Sequence, residues 1–236
     1  MTEATIVAAD SWLVDEGRTL ALDLHRSRFL EAAPGSDGFW DAAIAAIPRD
    51  GSWFPRVEAH ADGRRLFRLR SAPERTKAVT LATHHGEDPR REPRTKGPDL
   101  DAMRRLRTVA QGLGADEAVI LSTDGYVVEG SYSSLVWWRG AILCSPPAEF
   151  DRINSVTARS LIGLATALGI ETLEEAVTPA ELDGTELWSL NALQGPRIVT
   201  SWLDGPQTAE LPGRLAQWRT RLTVLARPLP SPDAAR

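Results

Sequence analysis

Two rhythms of apolar residues run along the chain, alternation over short stretches and a three-to-four spacing over longer ones, and together they predict a mixed α+β protein. In the first 86 residues, Thr19–Leu24 reads as a short strand, and His25–Ala33 begins a helix that ends at Pro34-Gly35. Phe39–Ile47 reads as a second helix, stopped by Pro48. Arg56–Ala61 and Arg64–Arg70 flank Asp62-Gly63, a strong two-residue hairpin signal, and Lys77–His84 reads as another strand. Residues 87–95 are charged, hold two prolines and carry no apolar rhythm, which predicts a linker.

The second half is better patterned. Leu100–Leu113 predicts an amphipathic helix closed by Gly114, and Ala118–Ser122, Tyr126–Gly130 and Leu135–Trp138 predict strands, with a turn at Asp124-Gly125. Ala141–Cys144 follows as a strand, Val156–Leu168 as a helix closed by Gly169, and Leu187–Leu190 and Arg197–Trp202 as strands. Leu211–Ala226 reads as a last helix with Pro212 in its first turn. The expected division is a small α+β domain over 1–90, a linker over 91–97, and a larger domain over 98–236.

Composition narrows the classes of function. A chain of 236 residues can bury a substantial core, and a net charge of -5 gives no nucleic-acid footprint, so no nucleic-acid partner is expected. Arg104, Arg105 and Arg107 read as a solvated helix face. Cys144 is the only cysteine, so neither an internal disulfide nor a cysteine metal site is expected, and no metal is assigned. Met1-Thr2-Glu3-Ala4 does not open a signal peptide, and no apolar run is long enough for a bilayer. A cytoplasmic protein without a membrane partner is expected.

The lysine count is sharper. There are 25 arginines and only two lysines, Lys77 and Lys96. A lysine amine can lose its proton and attack a carbonyl to form a Schiff base, whereas a guanidinium stays protonated. Either lysine taken alone is more simply a chance survivor.

Four separated segments give Lys96 its context. The first is Thr95-Lys96-Gly97-Pro98-Asp99. The second runs from Gly114-Ala115-Asp116-Glu117-Ala118 to Asp124-Gly125-Tyr126-Val127-Val128-Glu129-Gly130. The third is Asn154-Ser155-Val156-Thr157-Ala158-Arg159, and the fourth is Asn191-Ala192-Leu193 followed by Asp204-Gly205. In this order and spacing, over roughly residues 18–205, they resemble the class IV aminotransferase family of pyridoxal 5'-phosphate (PLP) enzymes. That fold-type IV group includes branched-chain and D-amino-acid aminotransferases and 4-amino-4-deoxychorismate lyase. The resemblance implies a two-domain α+β fold of the D-amino-acid aminotransferase kind with a shortened N-terminal domain, a homodimer, and a small-molecule amino substrate.

It also implies roles. Lys96 would carry PLP as an internal aldimine and then move the Cα proton, both of which need an amine with a lowered pKa. Glu129 would pair with the pyridine nitrogen. Val156 and Thr157 would open a helix whose free N–H groups receive the phosphate, and Asn191 and Ala192 would donate from its other side. His25-Arg26-Ser27-Arg28-Phe29 resembles the family's His-x-x-Arg-Leu stretch, which makes Arg28 the phosphate arginine and Arg26 its alternative. On the residues alone, Glu129 is an exposed strand residue, Thr157 a helix cap and both arginines surface charges. Asp116, Glu117 and Asp124 read as a helix-exit or turn cluster with no role at the ring.

The chain departs from the family in three places. The opening strand of the small domain is not found, Asp101 stands where a tyrosine is common, and Asn191-Ala192 replaces the aminotransferases' Gly-Thr pair. Asn191-Ala192-Leu193 looks more like the last loop of the lyase, so the reading leans to an enzyme that releases pyruvate and 4-aminobenzoate. The alternatives are an amino-acid aminotransferase with a 2-oxo acid acceptor, and a non-catalytic scaffold that uses a tryptophan-rich surface around Trp137-Trp138.

Overall fold

The computed structural model describes residues 5–231. Its contacts divide the chain into two compact units. The first takes in the chain up to Arg75, then Thr95–Pro98, then the chain from Thr223. It holds a three-stranded antiparallel sheet ordered Ile6–Ser11, Arg56–His60, Arg65–Arg68. The hairpin expected around Asp62-Gly63 is therefore present. Ile6–Ser11 is the opening strand that sequence reasoning did not find. Ile6-Val7-Ala8-Ala9 lacks the alternation of a half-buried strand, and Asp10, charged but buried, hides the rest of the pattern.

The expected strand at 19–24 is also corrected. Only Arg18–Thr19 is extended, and a helix over Leu22–Ala32 follows. Ala21 turns the chain between them with φ 48° and ψ 50°, a left-handed conformation that alanine rarely adopts, so no glycine marks the turn. A second helix spans Asp37–Ala45. The core of this unit is aromatic: Trp12, Phe29 and Trp40 are buried, and the rings of Trp12 and Trp40 lie 4.8 Å apart. Arg227–Pro228 returns to pair with Arg18–Thr19, closing a small sheet with Val14–Asp15 and Ser52–Trp53.

The second unit comprises Thr76–Arg94 and Asp99–Leu222. Its eight-stranded mixed sheet has the order Thr172–Glu174, Ile142–Ser145, Ser134–Arg139, Glu186–Asn191, Gly195–Leu203, Ala78–Thr83, Glu117–Leu121, Val127–Gly130. Ala78–Thr83 is parallel to both neighbours and carries buried Val79 and Leu81. The Leu100–Gly112 helix lays Ala102, Met103, Leu106 and Ala110 against Ala118 and Ile120 of the sheet. Residues 87–95 form no helix or strand.

Trp137 and Trp138 are both buried, which corrects the expectation of a tryptophan surface. Trp138 meets Trp188 edge-to-face and Trp218 at a tilt, at centroid distances of 5.5 Å each, and Arg214 covers its ring at 4.5 Å. These rings are spent inside the unit, leaving the scaffold reading without its surface. No helix among the described residues is long and apolar enough to cross a membrane.

Candidate active site

In the first unit, Lys96 is half-buried and fixed by its backbone. Its carbonyl accepts the Ala9 N–H at 2.7 Å. Gly97 permits this approach: its φ is +144°, and a Cβ there would stand 2.8 Å from Ala8 Cα and Ala9 N.

Asp10, on the same strand Ile6–Ser11, is fully buried. Arg28 Nε donates to its Oδ2 at 3.0 Å, and Arg28 Nη2 to Oδ1 at 2.7 Å and Oδ2 at 2.8 Å. His25 Nδ1 lies 3.1 Å from Oδ1, and the Ser11 N–H donates to it at 2.7 Å. Burial works to raise the pKa of Asp10, but the charges of Arg28 and Lys96 and the hydrogen bond from His25 hold it far below the carboxylate range. Burial pushes His25 down against the pull of Asp10, and the positive charges of Arg28 and Lys96 add to that. Lys96 thus acts electrostatically on the very cluster that holds Arg28. Helical spacing separates the two candidate arginines. His25 and Arg28, three residues apart, share the inner face, while Arg26 points outward to Asp37 at 2.7 Å.

In the second unit, Glu129 is buried on the edge strand Val127–Gly130. Arg90 Nη1 donates to its Oε1, and the Ile153 N–H approaches both oxygens at 3.3 and 3.4 Å. Burial pushes Glu129 up to about 7 against the opposing charges of Arg90 and Arg152. Three residues beyond Ile153, Val156 and Thr157 open the Val156–Ala167 helix and are buried. The cap is Ser155, whose Oγ accepts from the Ala158 N–H at 3.3 Å, so the alternative reading of Thr157 as the cap is corrected. The structure therefore brings Glu129 close to the helix start. Asn191 ends its strand, and its Oδ1 accepts the N–H groups of Leu193 at 3.1 Å and Gln194 at 2.8 Å, forming the turn that carries Ala192.

Glu117 is no turn residue. It is buried on the strand next to the sheet edge, where it accepts from Arg197, from Ser133 Oγ at 2.6 Å and from the Tyr132 N–H at 3.3 Å. These bonds tie down the turn just after Glu129. Gly130 fits there because a Cβ would come within 2.6 Å of Ser133 Oγ.

The sequence profile of the family described as Amino-transferase class IV matches residues 8–202. The chain belongs to that family. Within class IV, the branched-chain-amino-acid aminotransferase of Pseudomonas aeruginosa is 25% identical over 108 residues, 46% of this chain and 34% of the relative. The chain spans about a third of the length of the curated relatives it matches. A hypothetical aminotransferase from Mycobacterium tuberculosis, solved with PLP bound, superposes with a TM-score of 0.83 at 19% identity, over 95% of this chain and 89% of that one. A structure described as a candidate 4-amino-4-deoxychorismate lyase gives 0.74 at 21% identity, over 92% and 91%. These likenesses establish the class IV fold.

Two residues of this class IV chain escaped sequence reasoning, Asp10 and Arg90. Each is a charged residue in a segment without readable periodicity, and each is identified only by its buried partner. Asp10 carries a stability prediction. Asp10→Asn leaves Arg28 largely buried beside a neutral amide, a loss of about 3 kcal/mol, or roughly 6–12 °C in melting temperature for a chain of this size. Because folding depresses the pKa of Asp10, its contribution is present above the unfolded value of 3.8 and is lost as pH falls below it. Melts at pH 7 and pH 3 check this: the gap between wild type and D10N is large in the first and narrows in the second. An equal gap at both would break the link to Asp10 ionisation.

Proposed function

We propose that the chain is a PLP-dependent enzyme acting on an amino substrate, with Lys96 as the residue that carries the cofactor. The observation that supports this best is the setting of Lys96. One of only two lysines, it lies inside the stretch matched by the class IV profile, with its backbone pinned to the strand Ile6–Ser11 and its charge acting on the Asp10–Arg28–His25 cluster. The donor set suits PLP: an amine for the aldehyde, a buried carboxylate for the ring nitrogen, and an arginine and a capped helix start for the phosphate.

Bound PLP would supply an electron sink for the carbon that bears the substrate's amine. Lys96 then takes and returns the proton at that carbon. Glu129 orients the ring and favours its protonated nitrogen. Arg28 is the phosphate arginine, held in one orientation by Asp10, while Asn191 and Ala192 serve the phosphate from the last loop. Arg28→Ala is expected to weaken PLP binding about tenfold or more, with R26A close to wild type. The reverse order in a spectrophotometric PLP titration would transfer the role to Arg26.

Among class IV reactions we favour the lyase, which releases pyruvate and leaves 4-aminobenzoate. An α-amino acid brings a carboxylate on the reacting carbon, and that carboxylate needs donors. Here Asn191 Oδ1 already takes the N–H groups of Leu193 and Gln194 in the last loop. In 4-amino-4-deoxychorismate the carbon bearing the amine carries no carboxylate. The second reading, an amino-acid aminotransferase with a 2-oxo acid acceptor, is favoured by the curated relatives, which carry branched-chain aminotransferase names. Purified holoprotein would be assayed for pyruvate and 4-aminobenzoate from 4-amino-4-deoxychorismate, and separately for transamination of amino acids with 2-oxoglutarate. Turnover confined to the second assay would replace the lyase reading. The same preparation is expected to sediment as a homodimer.

A further inference from the structure

Arg90 lies in a segment whose charge and prolines read as a linker, yet its side chain is only 2% exposed. Its contacts are specific. Nη1 donates to Glu129 Oε1, Nη2 to Asp88 Oδ2 at 2.6 Å and to the Asp151 carbonyl at 2.8 Å, and Nε to Asp88 Oδ1 at 2.9 Å. Arg94 fastens the same segment to the same loop, with bonds to Asp151 Oδ1 at 2.8 Å and to the Glu149 carbonyl at 2.6 Å. The field at Glu129 comes from two neighbouring segments, while the paired strand Glu117–Leu121 places the apolar Ile120 opposite it. Arg90 and Asp88 come from the 87–95 segment, with opposite signs, and Arg152 and the Ile153 N–H come from the loop before the Val156–Ala167 helix. Arg152 is itself occupied by the carbonyls of Pro146 at 2.9 Å and Pro147 at 3.3 Å. Arg90 is the cation in direct contact with the carboxylate.

We propose that Arg90 is the positioning residue for Glu129, keeping it ionised and aimed so that it can serve the cofactor ring. This rests on the assignment of Glu129 under the proposed function. Burial works against a charged Glu129, and a neutral carboxylic acid would support a protonated ring nitrogen far less well. A guanidinium with its other donors anchored on Asp88 and Asp151 supplies a fixed counter-charge and holds one carboxylate oxygen. Asp88 has a second effect: it secures the arginine by hydrogen bonds, while its own negative charge works to raise the pKa of Glu129.

The test begins with the apoprotein. Glutamate labelled with 13C at the side-chain carboxyl is titrated by NMR, and the Glu129 signal is assigned by its loss in E129Q. In Arg90→Met the proton affinity of Glu129 should rise roughly tenfold or more, and Arg90→Lys, which keeps the charge but not the fork, should fall between R90M and wild type. In the PLP-loaded protein, the acid limb of the rate profile should move to higher pH by the same factor in R90M. In an E129Q background, R90M should add no shift. R90K gives the same readout if R90M does not fold. Normal PLP uptake with an unmoved Glu129 titration, or tighter PLP binding and a faster rate in R90M, would overturn the proposal and mark Arg90 as a structural tie or a competitor for Glu129. Failure of wild type to take up PLP would instead sink the cofactor reading itself, and the proposal with it.

Discussion

Lys96→Ala should give a folded protein that no longer acquires the yellow colour of a lysine-bound cofactor and has lost its activity. Both jobs assigned to Lys96 need a nitrogen that can be deprotonated, and alanine has none. Loss of the proton transfer alone costs about two to four powers of ten in rate, and loss of the covalent attachment adds to it. The fold should persist, because the segment is held by the Lys96 carbonyl and by Gly97, which the substitution leaves alone. Lys77 is the internal control. It precedes the parallel strand Ala78–Thr83, and its own carbonyl accepts the Ile198 N–H, a bond that K77A retains. Borohydride reduction of wild-type holoprotein, followed by peptide mass analysis, should place the cofactor mass on the peptide containing Lys96. A reducible adduct persisting in K96A and vanishing in K77A would exchange the two lysines.

How far the site was legible in the sequence depended on what kind of signal each part leaves. Leu100–Gly112 follows from its apolar rhythm because it buries one regular face against the sheet, and Ser134–Arg139 from a short apolar run that is buried on both faces. Turns marked by glycine were legible for the same reason. The turn at Ala21 was not, since the conformation there belongs to a residue that seldom adopts it. Buried charge was the least legible feature. Asp10, Glu117 and Arg90 each look like surface residues until the partner is known, and the partners of Glu117 and Arg90 lie 80 and 39 residues away along the chain. Spacing within one helix sets Arg28 and Arg26 on different faces, but only the position of Asp10 shows which face is buried. The order of the four segments carried the family assignment, even though no one segment is specific.

Glu129→Gln should bind PLP nearly as wild type does and lose on the order of a hundredfold or more in turnover, as when a preorganised electrostatic partner is removed from the reacting charge. The attachment at Lys96 and the phosphate donors are untouched, so affinity should change by a few-fold at most. The rate should fall because charge leaving the substrate carbon is drawn into the ring only when the ring nitrogen is protonated. A carboxylate raises the proton affinity of that nitrogen, and an amide does so far less. The pH dependence separates this from a packing defect. Folding raises the pKa of Glu129 to about 7 from an ordinary 4.5, so ionising it opposes folding. Its contribution to stability is therefore greatest below pH 4.5 and is lost as pH rises through about 7. E129Q should be without this trend, so its melting temperature relative to wild type should improve from pH 5 to pH 8 while its rate stays low throughout. The acid limb that Glu129 gives the wild-type rate profile should also disappear. Near-wild-type turnover at pH 8, with the limb intact, would remove Glu129 from the chemistry. Glu117, the next buried carboxylate along the sheet, would then be the residue to substitute.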